Sequence, residues 1–594
     1  MRILGISCYF HDASAVLMED GMLIAAAEEE RFSRKKHDYD FPEKAIAFCL
    51  QQGNITGQDL DYVVFFEKPF LKFDRLFKTT IHGFPRTYWM FAQSMRTWLS
   101  DKLWVKSHIA SNVGVRSNQV LFSEHHLSHS ASAFLCSPFQ EAAVITFDGV
   151  GEWATTTIGT GSHSTVSIDR ELHFPHSIGL LYSAFTAFLG FEVNDGEFKV
   201  MGMAPYGSPL YTEKVWEMVQ QSDDGAYWLD PRFFSLHHST KRTYTREFTN
   251  LFGRPRDPKV PFYTQSSGYP LYYGQRPTNF DEVCEYNQRY ADIAASIQMV
   301  TEQLIIGIAK AAHRDTGMKN LCLAGGVALN SVANERILRE TPFENLYVQP
   351  DAGDGGGSLG AALYAWHTAL GNPRRFVMDH AYWGQAYSNR EIKQAIDGLG
   401  FDARLVQDED KLIENTVDLL TKDKVIGWFQ GRFEWGPRAL GNRSILADPR
   451  SAEMKDVVNN KIKFREPFRP FAPSVLVGDS EKYFALKDSE ASLPARFMLR
   501  VVPVNPEHQG DIPAVNHMGT ARVQTVHPSS NPLYYRLIEA FRDATGVPVL
   551  LNTSFNVRGE PIVNSPEDAL RTFVNSGIDA LVMGNYIVDR PKDE

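Results

Sequence analysis

Short apolar runs open the chain. Residues 2–8, 13–18 and 22–27 predict three strands, divided by polar turns at Tyr9–Asp12 and Asp20-Gly21. The same grammar returns at 142–147, where a β-branched run ends in Asp148-Gly-Val-Gly-Glu152 and a second strand, 153–158, follows. This recurrence predicts a duplicated fold. Between 282 and 313, Ile293, Ile297, Val300, Leu304 and Ile308 recur at three- and four-residue spacing, which predicts a long buried helix. Then strand, glycine turn and helix follow one another twice: 321–323 before Gly325-Gly326-Val-Ala-Leu-Asn330, and 346–349 before Asp351-Ala-Gly-Asp354-Gly-Gly-Gly357 with a helix over 359–370. Residues 251–280 lack periodicity and are rich in Pro, Gly, Tyr and Arg, so they predict a surface loop insertion. Near 371–390 a Gly-Asn-Pro stop precedes a new α/β pattern, which divides the chain into domains 1–375 and 385–594.

Composition narrows the class. Of 594 residues 43% are hydrophobic and 22% charged, which is globular and excludes disordered or collagenous chains. A net charge of -11 supplies no sequence-wide basic field for a nucleic acid. Five scattered cysteines, Cys8, Cys49, Cys136, Cys284 and Cys322, contain no C-x-x-C pair; they suit a reducing, cytoplasmic setting and no zinc ribbon. No uncharged apolar run reaches the ~18 residues of a membrane span. Segment 70–106 carries Trp89, Trp98, Trp104 and seven Lys/Arg against Asp74 and Asp101, a composition compatible with a membrane surface. The plainer reading, preferred here, is amphipathic helices whose aromatics enter the core or face a partner.

Three histidines in Glu124-His125-His126-Leu127-Ser128-His129 precede a helical run. On a helix His125 and His129, at i and i+4, can share a metal, while His126 and His129 form a competing pair. Asp148 at a strand end adds a carboxylate. Such mixed ligands suit iron, zinc or manganese, and the absence of H-E-x-x-H disfavours a zinc protease. Glycines at 325–326 and 353–357 stand at helix starts, where backbone N–H groups meet anionic oxygens. Together with the paired hairpins they resemble the nucleotide-binding fold of actin, sugar kinases and Hsp70-type ATPases. In the second domain nine Lys/Arg and five acids lie between 432 and 469, a local excess suited to polyphosphate. Farther on, Asn552-Thr-Ser554-Phe-Asn556 ends a strand in groups able to bind phosphate oxygens.

The strings HDASAV (11–16), RFSRKKHD (31–38), EHHLSH (124–129), KVMGMAPYG (199–207), CLAGGVALN (322–330), WGPRALGNRS (435–444) and LLNTSFNVRGEPIV (550–563) resemble the nodulation-type O-carbamoyltransferases. That resemblance runs through nearly the whole chain. It implies an α/β protein with a first domain similar to the tRNA threonylcarbamoyl-transfer subunit, a duplicated actin/Hsp70-like fold, and a YrdC-like second domain. It implies that carbamoyl phosphate and ATP, with Mg2+, form carbamoyl-adenylate in the second domain, and that the first transfers the carbamoyl group to a small-molecule hydroxyl. By the same resemblance the metal, Fe2+ foremost with Zn2+ or Mn2+ as alternatives, falls on His125, His129, Asp148 and Asp354, with Asp351 the less favoured fourth ligand. The catalytic pair falls on His11 and Lys36. Nucleotide and anion contacts fall on Gly325, Gly326, Asn330, Gly355 and Gly356, and on Arg438, Lys463, Arg469, Asn552 and Ser554. A homo-oligomer is compatible; a nucleic-acid partner is not expected. The rival readings are a threonylcarbamoyl-adenosine-type tRNA-modifying enzyme and an actin-like kinase or ATPase.

Overall fold

A computed structural model describes residues 1–590 apart from 101, 240, 241 and 464. The chain forms two compact units. The first comprises Met1–Glu29, Tyr39–Gly268 and Thr278–Met378; the second comprises Glu30–Asp38, Tyr269–Pro277 and Asp379–Glu594.

In the first unit β1 (Arg2–Ser7), β2 (Ser14–Glu19), β3 (Met22–Glu28), β4 (Tyr62–Phe65) and β5 (Val120–Phe122) form one sheet in the order β3-β2-β1-β4-β5. The first three strands are an antiparallel meander, whereas β4 and β5 run parallel to β1. A second meander, β6 (Glu141–Phe147), β7 (Ala154–Ser162) and β8 (Thr165–His173), is followed by a small ribbon, β9 (Val219–Gln221) with β10 (Tyr227–Leu229). The second sheet is completed by β11 (Asn320–Ala324) and β12 (Asn345–Val348), in the order β12-β11-β6-β7-β8. Again the last two strands run parallel to the first strand of the meander. One topology therefore occurs twice, as expected of a duplicated actin/Hsp70-like domain.

The predicted long helix spans Phe280–Thr316 and stops at Gly317, whose φ of 62° is the left-handed cap that glycine takes without a Cβ penalty. Its most apolar 18-residue window has a mean hydropathy of 1.2, high enough for a span, but 83% of that window is buried inside the unit. It is a core helix. The helix after the second glycine turn, Gly357–Tyr364, lies against the histidine-bearing helix His125–Phe134; a Cβ on Gly360 would fall 1.8 Å from the Ser128 carbonyl oxygen. Only glycine lets these two backbones approach so closely.

The second unit is an α/β body around one eight-stranded mixed sheet. Its central strands are Ile426–Phe429, Arg443–Ala447, Val549–Ser554 and Ala472–Leu476. Trp428, Leu446, Leu550 and Leu581 lie in its core. The main division falls at Met378/Asp379, and two short segments cross it. Arg31 Nη2 donates to the Gly436 carbonyl at 2.7 Å, and Arg34 donates to the carbonyls of Ile562 and Pro561 at 2.6 and 2.9 Å. These bonds hold Glu30–Asp38 in the second unit. The Tyr272 hydroxyl, donating to the Arg465 carbonyl at 3.3 Å, does the same for part of the expected 251–280 loop.

Candidate functional site

In the first unit the chemistry-bearing residues follow the carboxyl ends of parallel strands, where α/β sheets place their ligands. Asp148 follows β6, Gly325 follows β11, the Asp351–Asp354 turn follows β12, and His125 begins a helix three residues after β5. Atoms of His125, His129, Asp148 and Asp354 able to ligate one ion all lie within 4.8 Å of one another. His125 Nε2 is 2.8 Å from Asp148 Oδ2 and 3.2 Å from His129 Nε2. Asp354 Oδ1 is 3.3 Å from His129 Nε2 and 3.6 Å from His125 Nε2. Asp351 is outside this group.

The competing histidine is otherwise engaged. His126 pairs Nδ1 with the Thr146 hydroxyl at 2.6 Å and donates from Nε2 to the Ala154 carbonyl at 2.8 Å. Burial, reinforced by His125 and His129, holds it well below the usual imidazole range. Burial also opposes charge on His129, but the carboxylates of Asp148 and Asp354 outweigh it and raise that imidazole to about 10. Asp148 shows the converse: burial would raise it, and its contacts with His125 and His129 hold it well below the carboxylate range. Two imidazole nitrogens facing each other at 3.2 Å between two carboxylates, in a buried place, form a donor set that fits a divalent cation.

Buried carboxylates frame the cluster. Glu152 accepts the backbone N–H of His125 at 3.0 Å, at the start of the histidine helix, and that of Lys68 at 2.8 Å. Glu67, paired with Lys72 at 2.6 Å, stands 4.0 Å from His125 Nδ1. The Tyr9–Asp12 turn enters the same region: Lys72 lies over the Phe10 ring at 3.9 Å, and Ser14 donates to the Gly355 carbonyl at 2.7 Å. Positive φ at Tyr9 (71°) and Asp12 (37°) makes this a strained turn. His11 Nδ1 stands 2.7 Å from Asp12 Oδ2.

Of the predicted nucleotide contacts, Gly325 has φ 91° and a Cβ there would meet the Phe147 carbonyl oxygen at 1.9 Å. Its N–H donates to the Ala352 carbonyl at 2.7 Å, which ties the two glycine turns together. Gly326 N–H faces Asp148 Oδ1 at 3.4 Å, and Gly355 and Gly356 are buried beside Asp354. Asn330 caps the next helix, its Oδ1 accepting from Ala333 N–H at 3.2 Å. Lys36 lies in the Glu30–Asp38 segment, which groups with the second unit, and His11 lies in the first.

The second unit gathers a cationic cluster in which Lys463 is buried and Arg438, Arg465, Arg469 and Arg522 are half-buried. Lys463 Nζ lies among four oxygens: the Ser554 carbonyl at 2.6 Å and hydroxyl at 3.2 Å, and the Asn556 carbonyl at 2.9 Å and amide oxygen at 2.8 Å. Burial, with Arg465 and Arg469, pulls its amine well below the usual lysine range. Burial and Arg469 lower Arg438 to about 10. Arg522 is also held low by burial and then by Arg438, Arg465 and Arg469. Arg522 thus feels Arg438, Arg465 and Arg469, while Glu466 stands 3.5 Å from Arg469; positive charge concentrated in this way suits a multiply charged anion. Arg522 and Arg465 extend the predicted set; Arg522, on the strand Thr520–Arg522, lies far beyond the basic tract and carries no local signal. Asn552 is committed to the sheet, its amide donating to Ser474 Oγ at 3.0 Å and Gln524 Oε1 at 2.9 Å.

Residues 2–363 match the family model of the carbamoyltransferase N-terminus, and 417–590 that of the carbamoyltransferase C-terminus. The chain is 44% identical to an uncharacterized protein of Synechocystis, sll1178, over 99% of this chain and 96% of that protein. It is 36% identical to nodulation protein NolNO of Sinorhizobium fredii, over 98% of this chain and 79% of the relative. A 3'-hydroxymethylcephem-O-carbamoyltransferase of Amycolatopsis lactamdurans is 35% identical over 49% of this chain and 53% of its own.

Proposed function

Since the chain belongs to the carbamoyltransferase family, we propose that it is an ATP-dependent O-carbamoyltransferase in which the two units divide the work. In the second unit these arginines and Lys463 hold carbamoyl phosphate and the ATP phosphates. Once the phosphoryl group of carbamoyl phosphate has gone to water as phosphate, the carbamate oxygen attacks the α-phosphorus of ATP and pyrophosphate leaves. In the first unit an alcohol oxygen attacks the carbonyl carbon of carbamoyl-adenylate and AMP leaves. His11, oriented by Asp12, takes the proton of the alcohol. The glycine turns present backbone N–H groups to the adenylate phosphate. His125, His129, Asp148 and Asp354 would hold a divalent metal, which when bound supplies Lewis-acid stabilisation of developing negative charge. Lys36 is the second member of the catalytic pair and neutralises the adenylate phosphate.

The observation that carries this reading is the cationic set of half-buried Arg438, Arg465, Arg469 and Arg522 with buried Lys463, which suits a triphosphate with a second phosphate and far exceeds what a carbamoyl acceptor requires. The test is pyrophosphate release that requires both ATP and carbamoyl phosphate, followed by a mass-spectrometric search of candidate alcohols for the gain of one carbamoyl group. ATP turnover indifferent to carbamoyl phosphate would defeat the proposal and favour a plain ATPase.

Arg522 provides a sharper check. Arg522→Gln should raise the KM for carbamoyl phosphate or ATP roughly tenfold or more, since a charge-assisted contact contributes about 1.5–3 kcal/mol. Bound metal should be unchanged. Unaltered KM values for both substrates would remove Arg522 from the site.

A further inference from the structure

The helix Pro69–Gly83 is turned the opposite way from an ordinary surface helix. It buries two of its three cations: Lys72 is 3% exposed, paired with Glu67, and Arg75 is 7% exposed, donating to the Gly151 carbonyl at 2.6 Å. Its apolar residues face outward, Phe70 at 72% exposure, Ile81 at 58% and Phe77 at 44%. A second helix, Tyr88–Ser100, folds back on it through edge contacts of Phe73 with Trp98 and a tilted pair of Phe77 and Phe91. At the tip of this hairpin Phe84, Tyr88 and Trp89 are all exposed, Trp89 at 80%, and Trp104 follows beyond it. Of the twenty exposed large hydrophobics among the described residues, eight lie between Phe70 and Trp104. Scattered exposed apolar side chains need no explanation, but a concentration of this kind marks a surface that something covers.

Charge identifies the cover. Lys78, Arg86, Arg96 and Lys106 are exposed on the same segment, and Asp74, the one acid among its described residues, is taken by Lys78 at 2.7 Å. Segment 70–106 carries a net +5 in a chain of net -11, and four of its seven cations are these exposed ones. A second copy joined symmetrically through this patch would set cations against cations. Two helices and a turn that combine Trp, Tyr and Phe with Lys and Arg have the chemistry of interfacial membrane segments, whose aromatics enter the headgroup boundary while the cations meet anionic lipid.

We infer that the 69–106 hairpin docks the protein on an anionic lipid bilayer, through the aromatic tip at Phe84–Trp89 and the cations around it. This binding involves no chemical step and stands apart from the carbamoyl-transfer reading. The experiment is flotation of the full-length protein with vesicles of phosphatidylcholine alone or mixed with phosphatidylglycerol, at ~0.1 M and ~0.5 M salt. Binding is expected to the mixed vesicles only, weakening at the higher salt. Ile81→Ser/Trp89→Ser should reduce the partition coefficient roughly tenfold or more. Arg86→Glu/Arg96→Glu should abolish the preference for phosphatidylglycerol, and this second variant leaves every apolar contact in place should the first fold poorly. No binding to mixed vesicles, equal binding to neutral ones, or full binding by both variants would overturn the inference. So would light scattering that shows a dimer dissociated by Ile81→Ser/Trp89→Ser, which would make a second copy the cover.

Discussion

His129→Ala is expected to leave the protein nearly free of bound divalent metal while pyrophosphate release with ATP and carbamoyl phosphate continues at its normal rate. His129 Nε2 is 3.2 Å from His125 Nε2, 3.5 Å from Asp148 and 3.3 Å from Asp354, so the variant loses the donor that faces all three others. A change behind a metal ligand typically costs 10–100-fold in affinity, so loss of a ligand itself should cost roughly 100-fold or more. The residues proposed to form the adenylate lie in the second unit, which has its own hydrophobic core, so the effect should not spread to them. Replacing a fully buried imidazole with a methyl group also leaves a cavity. Asp354→Asn is therefore the companion, being nearly isosteric and removing only the charge. Elemental analysis decides the matter: metal undiminished in both variants rules the cluster out as the binding place.

The parts of this architecture legible in the sequence are those whose signals are local. His125 and His129 share a helical face at four-residue spacing, and each glycine turn lies between a strand and a helix within about a dozen residues. The meander at the amino terminus repeats at 141–173 because one turn grammar serves both sheets. Pairings over long separations left no such trace. Arg522 joins Arg438 and Arg465 only because the strand Thr520–Arg522 returns to them, and Glu30–Asp38 leaves its sequence neighbours because Arg31 and Arg34 find carbonyls at 436 and 561–562. The Pro69–Gly83 helix is instructive in another way. Apolar periodicity would turn its phenylalanines inward, yet burying Glu67 and Glu152 without cations would cost several kcal/mol, so Lys72 and Arg75 fix the rotation instead. Hydrophobic patterning identifies such a helix correctly and assigns it the wrong face.

Lys463→Ala should abolish pyrophosphate release that depends on carbamoyl phosphate, and added synthetic carbamoyl-adenylate should restore carbamoyl transfer to an alcohol. The ammonium group gathers oxygens of Ser554 and Asn556 at 2.6–3.2 Å at the end of the Val549–Ser554 strand, among arginines that repel it. A phosphate placed there would relieve that repulsion and gain charge-assisted bonds worth about 1.5–3 kcal/mol each, so losing the lysine weakens binding and misplaces the reacting phosphate together. Alanine also removes a donor from the Ser554 and Asn556 carbonyls, although the former still accepts the Asn556 N–H at 3.0 Å. Lys463→Arg is therefore measured beside it, with melting temperature and metal content recorded for both. A folded, metal-replete Lys463→Ala protein that accepts carbamoyl-adenylate locates the lesion in adenylate formation. The adenylate is a reactive mixed anhydride exposed to competing hydrolysis, so rescue requires a saturating supply and quenching within seconds of mixing. If rescue fails under those conditions while the wild-type protein uses the same adenylate, Lys463 serves transfer as well as adenylation, and the assignment of one step to each unit is wrong.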